Sequence, residues 1–183
     1  YINKNIVASL QASQCNAIGL CGADGGAILA HKRQHPVLDF GFVGDVDTVN
    51  TELINSFLQK NIAVVFSPIT HDQQGQLLNT NADTIAQEIA KAMSTLYDVE
   101  LIYSFEKSGV LLDTDDDSTV IPSLNLSYYK ELRTKNKIFS GMIPKLDNAF
   151  AALESGVGKV VIGKAEELPA LINGTAGTSI IHE

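Results

Sequence analysis

Long apolar runs are missing from this chain. No stretch approaches the roughly 20 residues that a membrane-crossing helix needs, and no secretory leader is visible, so the sequence predicts a soluble, cytoplasmic protein with no membrane partner. Clustered positive charge is missing as well. Lys32-Arg33 is the longest basic cluster, and the formal net charge is -8. Nucleic-acid phosphates are held by grouped Lys and Arg, so this balance speaks against a nucleic-acid partner. Cysteine is scarce. Cys15 and Cys21 form no CxxC pair and have no His at zinc-ligand spacing, so both read as buried small hydrophobes in a reducing compartment.

Several nucleotide and hydrolase signatures are absent too. There is no GxxxxGK(S/T), no GxGxxG after a strand, no GxSxG and no HExxH, which excludes the P-loop, dinucleotide, α/β-hydrolase and zincin readings. Gly156-Val157-Gly158-Lys159 is glycine-rich, but it follows a helical pattern and precedes an apolar run, so it reads as a helix-ending turn. The acidic run Asp113 to Asp117 lacks an EF-hand spacing and reads as a solvated loop, so no protein metal site is expected.

What is present is an ordinary globular mix of 45% hydrophobic and 19% charged residues in 183, enough for one domain with a core. Apolar positions Ile2, Ile6, Val7 and Leu10 have helical spacing. Two apolar runs, Ala17 to Cys21 and Ala27 to Ala30, flank an Asp-Gly turn and predict a β-hairpin. A short strand is expected at Asp39 to Val43. Asn50 can cap a helix reaching about Lys60, with Leu53, Ile54, Phe57 and Leu58 on one face. Ile62 to Phe66 reads as a strand buried on both faces. Asp72 to Gly75 is a turn, and a helix starting at Asn81 or Asp83 should bury Ile85, Ile89 and Met93. Further strands are expected at Glu100 to Tyr103, Val160 to Ile162 and Thr178 to Ile181. Helices are expected near Ser127 to Arg133, Gly141 to Ser155 and Glu166 to Ile172. Strands alternating with helices predict an α/β domain with a mostly parallel central sheet, and no repeat or linker divides it.

Two stretches carry chemistry. In Leu78-Asn79-Thr80-Asn81-Ala82-Asp83, two amides and a carboxylate lie between a strand and a helix, where ligands of α/β sheets collect. Asn81 and Asp83 also suit a plain helix cap. In Gly141-Met142-Ile143-Pro144-Lys145, a helix start offers N–H groups to an anion and Lys145 sits about one turn in. Taken alone, Lys145 also reads as an ordinary solvent-facing lysine.

The first stretch resembles the LxNxNAD motif of acetylglutamate kinases, and the second resembles their GGMxxK motif with Ser140 in place of the first Gly. The likeness runs the length of the chain. It includes Asn3-Lys4, Ile18-Gly19-Leu20-Cys21-Gly22-Ala23-Asp24-Gly25, Gly41-Phe42-Val43-Gly44, Ala165 to Leu171 and Gly174 to Thr178. The resemblance implies a three-layer αβα sandwich of the amino acid kinase type. It covers the C-terminal two-thirds or so of such a chain, so a KxGG segment, a glycine-rich loop and a substrate-binding Arg are expected upstream. The opening at Tyr1 reads likewise as the interior of a longer polypeptide, and residues 1–183 as one kinase domain incomplete at its N-terminus.

The same resemblance implies ATP and Mg²⁺ as cofactors, the metal held mainly by the nucleotide, and an N-acylglutamate as phosphoryl acceptor in arginine biosynthesis. It also implies a homodimer or higher homo-oligomer. Lys145 and Asp83 take catalytic roles, Asp83 orienting the catalytic lysines. Asn79 and Asn81 bind the acylated glutamate. Glu106, Lys107, Ser108, Gly109, Val110 and Leu111, with Lys137, Ile138, Phe139 and Gly141, flank the nucleotide. The nucleotide loop commonly reads Asp-Val-x-Gly in that family, and here it reads Glu106-Lys107-Ser108-Gly109. Other amino acid kinases, and a non-catalytic regulatory module of the same fold, are the alternatives.

Overall fold

A computed structural model describes residues 1–182. The chain divides into two compact units, Tyr1–Glu88 and a second beginning at Ile89, so the boundary falls within one helix. Each unit is an α/β assembly, and parallel pairings occur in every sheet.

In the first unit, helix α1 (Ile2–Ala12) leads to strand β1 (Ala17–Leu20), and strand β2 (Ile28–Lys32) follows a 3-10 turn over Asp24–Gly26. The expected hairpin between these two runs does not form. β1 pairs in parallel with β4 (Ala63–Phe66), while β2 pairs antiparallel with β3 (Gly44–Val49) and parallel with β5 (Ile69–His71). The turn carries the chain across: Gly22 N–H donates to Ile69 O at 2.6 Å, and Ile28 N–H donates back to Gly22 O at 3.0 Å. Inside that turn, Cys21 N–H donates to Asp24 Oδ2 at 2.7 Å. This bond, then a contact with the Cys21 thiol, holds the Asp24 carboxyl below its ordinary range.

The strand expected at 39–43 is displaced. Residues 44–49 form β3 instead, where Asp45 and Asp47 face Arg33 and His31 across the β2–β3 pair. A polar alternation of this kind marks a sheet face in water, and apolar content alone misses it. β4 is half-buried at every position rather than buried on both faces, and among the described residues β1 is its one hydrogen-bonded neighbour strand. Cys15 is exposed and Cys21 half-buried. Cys15 lies in the turn after α1, where Gln14 takes a φ of 61°, so its side chain has no core to enter.

Helix α2 (Thr51–Leu58) starts as expected, with Asn50 Oδ1 accepting from Leu53 N–H at 3.0 Å. Ile54 is its buried residue, and Leu58 points outward. Strand β6 (Leu77–Asn79) pairs antiparallel with β5, and α3 (Ala82–Met93) follows, burying Ile85 and Met93 with Ile89 half-buried.

In the second unit, β7 (Glu100–Phe105), β8 (Ser123–Leu124), β9 (Lys159–Lys164) and β10 (Thr178–Ile180) form one sheet in the order β7-β9-β10-β8. β7 and β9 run parallel in unbroken register from Glu100 opposite Lys159 to Phe105 opposite Lys164. Val160, Val161 and Ile162 of β9 are wholly buried, the pattern of a strand covered on both faces. Helix α5 (Ile143–Glu154) packs on β9 and buries Leu146, Ala149, Phe150, Ala152 and Leu153. Gly156 follows its last turn and donates to Leu153 O at 3.0 Å, as a helix-ending turn should. Helix α6 (Leu168–Ile172) covers β9 through Leu171. No helix among the described residues is long and apolar enough to cross a membrane.

Helix α4 (Leu126–Thr134) is tied to α5 by one polar link. The Tyr129 ring stacks on Phe150 with centroids 5.3 Å apart, and its hydroxyl donates to Asp147 Oδ1 at 2.7 Å. Burial, then the bond to Asp147, raises the phenol from its ordinary value of about 10 to about 12. The fold therefore holds the protonated phenol. Its contribution is whole below pH 10 and is lost as pH rises towards 12. Urea stability should fall more steeply across that window in the wild type than in Tyr129→Phe, read by circular dichroism. Parallel pH slopes for the two proteins would contradict the assignment.

Candidate functional site

The second unit holds a cavity of about 360 Å³ beyond the carboxyl end of β7. One wall is the chain leaving that strand: Phe105, Glu106, Lys107, Gly109, Val110 and Leu111. A second is Ile138, Phe139 and Met142, and a third is Thr114 and Asp115. The lining is mainly apolar, with two carboxylates and one ammonium at its edges.

The first wall is seated by a buried bond. Val110 N–H donates to Thr178 Oγ1 at 2.8 Å, and Thr178 has no exposed surface. Val110 O accepts from Ile121 N–H at 2.8 Å, and Leu111 bridges Val120. Gly109 lies so close to this junction that a Cβ would fall 2.6 Å from Val120 Cγ2 and 2.7 Å from Thr178 Oγ1. In the second wall, a 3-10 turn over Ser140–Met142 precedes α5, so Gly141 belongs to the turn and the α-helix itself starts at Ile143. The Phe139 ring lies against Gly141 and stays 63% exposed at the cavity edge, a flat apolar plate open to a planar ligand.

Lys145 is the third residue of α5. Its Nζ lies 4.9 Å from the centre of the Tyr103 ring and 5.8 Å from that of Phe105, a cavity-lining residue. Cation–π contact of this kind steers an ammonium at little desolvation cost. The first turn of α5 contains this lysine and no acidic residue. A helix N-terminus carries partial positive charge, and a lysine in its first turn adds to the attraction for an anion.

Of the ten residues expected around a nucleotide, seven line this one cavity: Glu106, Lys107, Gly109, Val110, Leu111, Ile138 and Phe139. Ser108, Lys137 and Gly141 flank it without lining it. Ser108 Oγ donates to Asp117 Oδ2 at 3.2 Å, and Lys137 N–H donates to Leu132 O at 2.9 Å, closing α4. The sequence reading missed Phe105, Thr114, Asp115 and Met142. Leu111 and Val120, an apolar pair bracketing the acidic run, were the available signal that this run folds back as a compact loop.

In the first unit, the Asn79–Asp83 stretch is held by threonines. Thr80 Oγ1 donates to Gly44 O at 3.0 Å and lies 2.9 Å from Thr70 Oγ1; both threonines are buried. The exposed Asn79 closes β6, with its N–H donating to Phe42 O at 2.7 Å. Asn81 caps α3: its Oδ1 accepts from Asp83 N–H at 2.8 Å and Thr84 N–H at 3.2 Å. The cap reading of Asn81 is therefore realised. Asp83 sits half-buried in the first turn of α3, where a carboxylate complements the helix dipole.

Residues 1–164 match the model of the amino acid kinase family. The chain belongs to that family. Within it, the chain falls with the acetylglutamate kinases. The acetylglutamate kinase of Phocaeicola vulgatus is 50% identical over 179 residues, which is 98% of this chain and 68% of that protein. The chain thus spans about two thirds of the length of the curated relatives it matches. Among solved structures, smu.665 from Streptococcus mutans UA159 superposes with a TM-score of 0.77 at 27% identity, covering 97% of this chain and 65% of that one. Carbamate kinase from Giardia lamblia, bound to AMP-PNP, reaches 0.68 at 14% identity, covering 99% and 67%; at that identity it speaks for the amino acid kinase fold alone.

For this kinase-family cavity, the Gly109 junction gives a direct check. Gly109→Ala should cost about 1–3 kcal/mol of stability, the usual penalty for overpacking. It should also weaken ADP binding, as read by thermal unfolding with and without ADP. Wild-type stability in this variant would mean that the Val120–Thr178 junction is not tight.

Proposed function

We propose that the protein transfers the γ-phosphoryl group of ATP to the γ-carboxylate of an N-acylglutamate, with N-acetyl-L-glutamate as acceptor, in arginine biosynthesis. One observation carries the reading. The 106–111 and 138–139 segments converge on a single cavity, and Lys145 is held over Phe105 at its wall. In this reading both units belong to one kinase domain, working as a soluble homo-oligomer.

The acceptor carboxylate, with an ordinary pKa near 4.3, is already ionised at neutral pH. No general base is required. The obstacle is the meeting of two anions, so positioning and fixed positive charge carry the catalysis. Lys145 and the first-turn N–H groups of α5 supply that charge on the nucleotide side. The Phe139 plate and the apolar wall from Gly109 to Leu111 receive the base. Asn79, Asn81 and Asp83 act on the acceptor side. Asn79 presents an amide from the end of β6, and Asp83 orients ammonium groups through charge-assisted hydrogen bonds. Asn81 contributes mainly by fixing the start of α3, since its Oδ1 is engaged by the cap.

Mg²⁺ supplies charge neutralisation on the phosphates when bound. Among the described residues, no cluster of three or more His, Cys, Asp or Glu side chains is placed to hold a metal. In this reading the ion would be held mainly by phosphate oxygens and water.

The test is an acyl-phosphate assay by hydroxylamine trapping, using full-length protein, ATP, Mg²⁺ and glutamates bearing different acyl groups. Acyl phosphate should form from N-acylglutamate; none from any N-acylglutamate would reject the proposal. Lys145→Ala should lower kcat about 10²-fold or more, the scale of one lost transition-state donor. A kcat within about threefold of wild type would remove Lys145 from the chemistry. Asn79→Ala should raise KM for the acylglutamate while leaving KM for ATP nearly unchanged; equal increases would contradict its assignment to the acceptor.

A further inference from the structure

The loop between Leu111 and Val120 is a self-contained piece. Its base is closed by the Leu111–Val120 bridge and by Leu112 N–H donating to Thr119 O at 3.2 Å. Inside, Thr119 Oγ1 donates to Asp116 O at 2.7 Å and accepts from Asp113 N–H at 3.0 Å, while Asp115 N–H donates to Asp113 Oδ1 at 3.0 Å. Such a loop keeps its own shape, and its tilt about the base is set by what ties its far side down. The side-chain ties run to the segment following β7. Lys107 Nζ donates to Thr114 O at 2.8 Å, and Ser108 Oγ donates to Asp117 Oδ2 at 3.2 Å. Lys164 Nζ, at the end of β9, adds a longer contact to Asp117 Oδ2 at 3.7 Å.

The tie from Lys107 lands on the part of the loop that matters. Thr114 and Asp115 form the third wall of the cavity, and Lys107 itself lines it. Ser108 and Lys164 both grip Asp117, which does not line it. The loop carries four carboxylates, at 113, 115, 116 and 117, and Glu106 adds a fifth beside Lys107. A nucleotide polyanion entering here meets acidic neighbours, and Lys107 is the one cation in the lining. A neutral donor could hold the Thr114 carbonyl, but only an ammonium or guanidinium would also offset those carboxylates.

We propose that Lys107 is a positioning residue of the nucleotide cavity. By holding the Thr114 carbonyl it keeps the acidic loop in place as a preformed wall, so ADP or ATP binds without first ordering that wall. This rests on the nucleotide assignment made above, though not on the identity of the phosphoryl acceptor. Binding to a wall already in place avoids an ordering cost that otherwise weakens affinity.

The test compares full-length wild type, Lys107→Met, which keeps the stem and removes the donor, and Lys107→Arg, which keeps the charge and a donor. Two quantities are read: hydrogen exchange of residues 112–119 without nucleotide, and the Kd for ADP by calorimetry at low and moderate salt. Lys107→Met should speed exchange in that segment and raise the Kd roughly fivefold, the scale of one net hydrogen bond. The rise should be larger at low salt, where the carboxylates are less screened. Lys107→Arg should stay near wild type in both. Unchanged exchange or unchanged Kd in Lys107→Met would overturn the proposal. So would a Lys107→Arg protein as impaired as Lys107→Met. Wild type that binds ADP yet makes no acyl phosphate would sink the acceptor reading and leave this one standing; wild type that binds no ADP would sink both.

Discussion

The cavity of the second unit stands on one buried hydrogen bond, from Val110 N–H to the hydroxyl of Thr178, 68 residues further along the chain. A buried backbone donor left without a partner is costly, so this bond fixes where the chain goes after β7. Threonine rather than valine at the head of β10 is what supplies the acceptor. Once Val110 is seated, Gly109 must pass tightly over Val120 and Thr178, and Leu111 must meet Val120. The apolar wall and the base of the acidic loop both follow from that one junction.

The first unit reaches a similar result with different means. Thr70 and Thr80 are buried polar side chains whose hydroxyls meet, and Thr80 also reaches the Gly44 carbonyl. They fix β6 and the start of α3, and Asn79 and Asp83 are carried on those elements. In both units, buried threonines fix the backbone while the residues proposed for the chemistry are exposed or half-exposed neighbours. Rigid backing with functional groups left accessible is what a site handling charged ligands requires.

In the proposed reaction the electrostatic demand falls on Lys145 and the start of α5. Lys145 stands in the first turn of α5, at the positive end of that helix. The N–H groups of that turn and the ammonium beside them favour a bound phosphate. Contact with the Tyr103 and Phe105 rings places the ammonium beside the wall of the cavity. An acceptor that is already a carboxylate needs no general base.

Much of this was legible from the residues in order. The Asn50 cap, the buried face of α5, the β9 core and the helix-ending turn at Gly156 follow from caps and periodicity, which are local properties. The family motifs named seven residues that line one cavity, because motif order along a chain reflects a shared backbone path. Strand pairing was not legible. Ala17–Leu20 and Ile28–Lys32 look like hairpin partners because turn chemistry is read locally, whereas their real partners lie at Ala63–Phe66, Gly44–Val49 and Ile69–His71. Nor was the recruitment of Thr114 and Asp115 to the cavity, which depends on a lysine reaching across a loop. The sequence by itself determined the helices, their caps and the most apolar strands, and the motifs that mark the family. Tertiary structure alone decided which strands are neighbours and which polar groups meet, since those depend on hydrogen bonds closed over long stretches of chain.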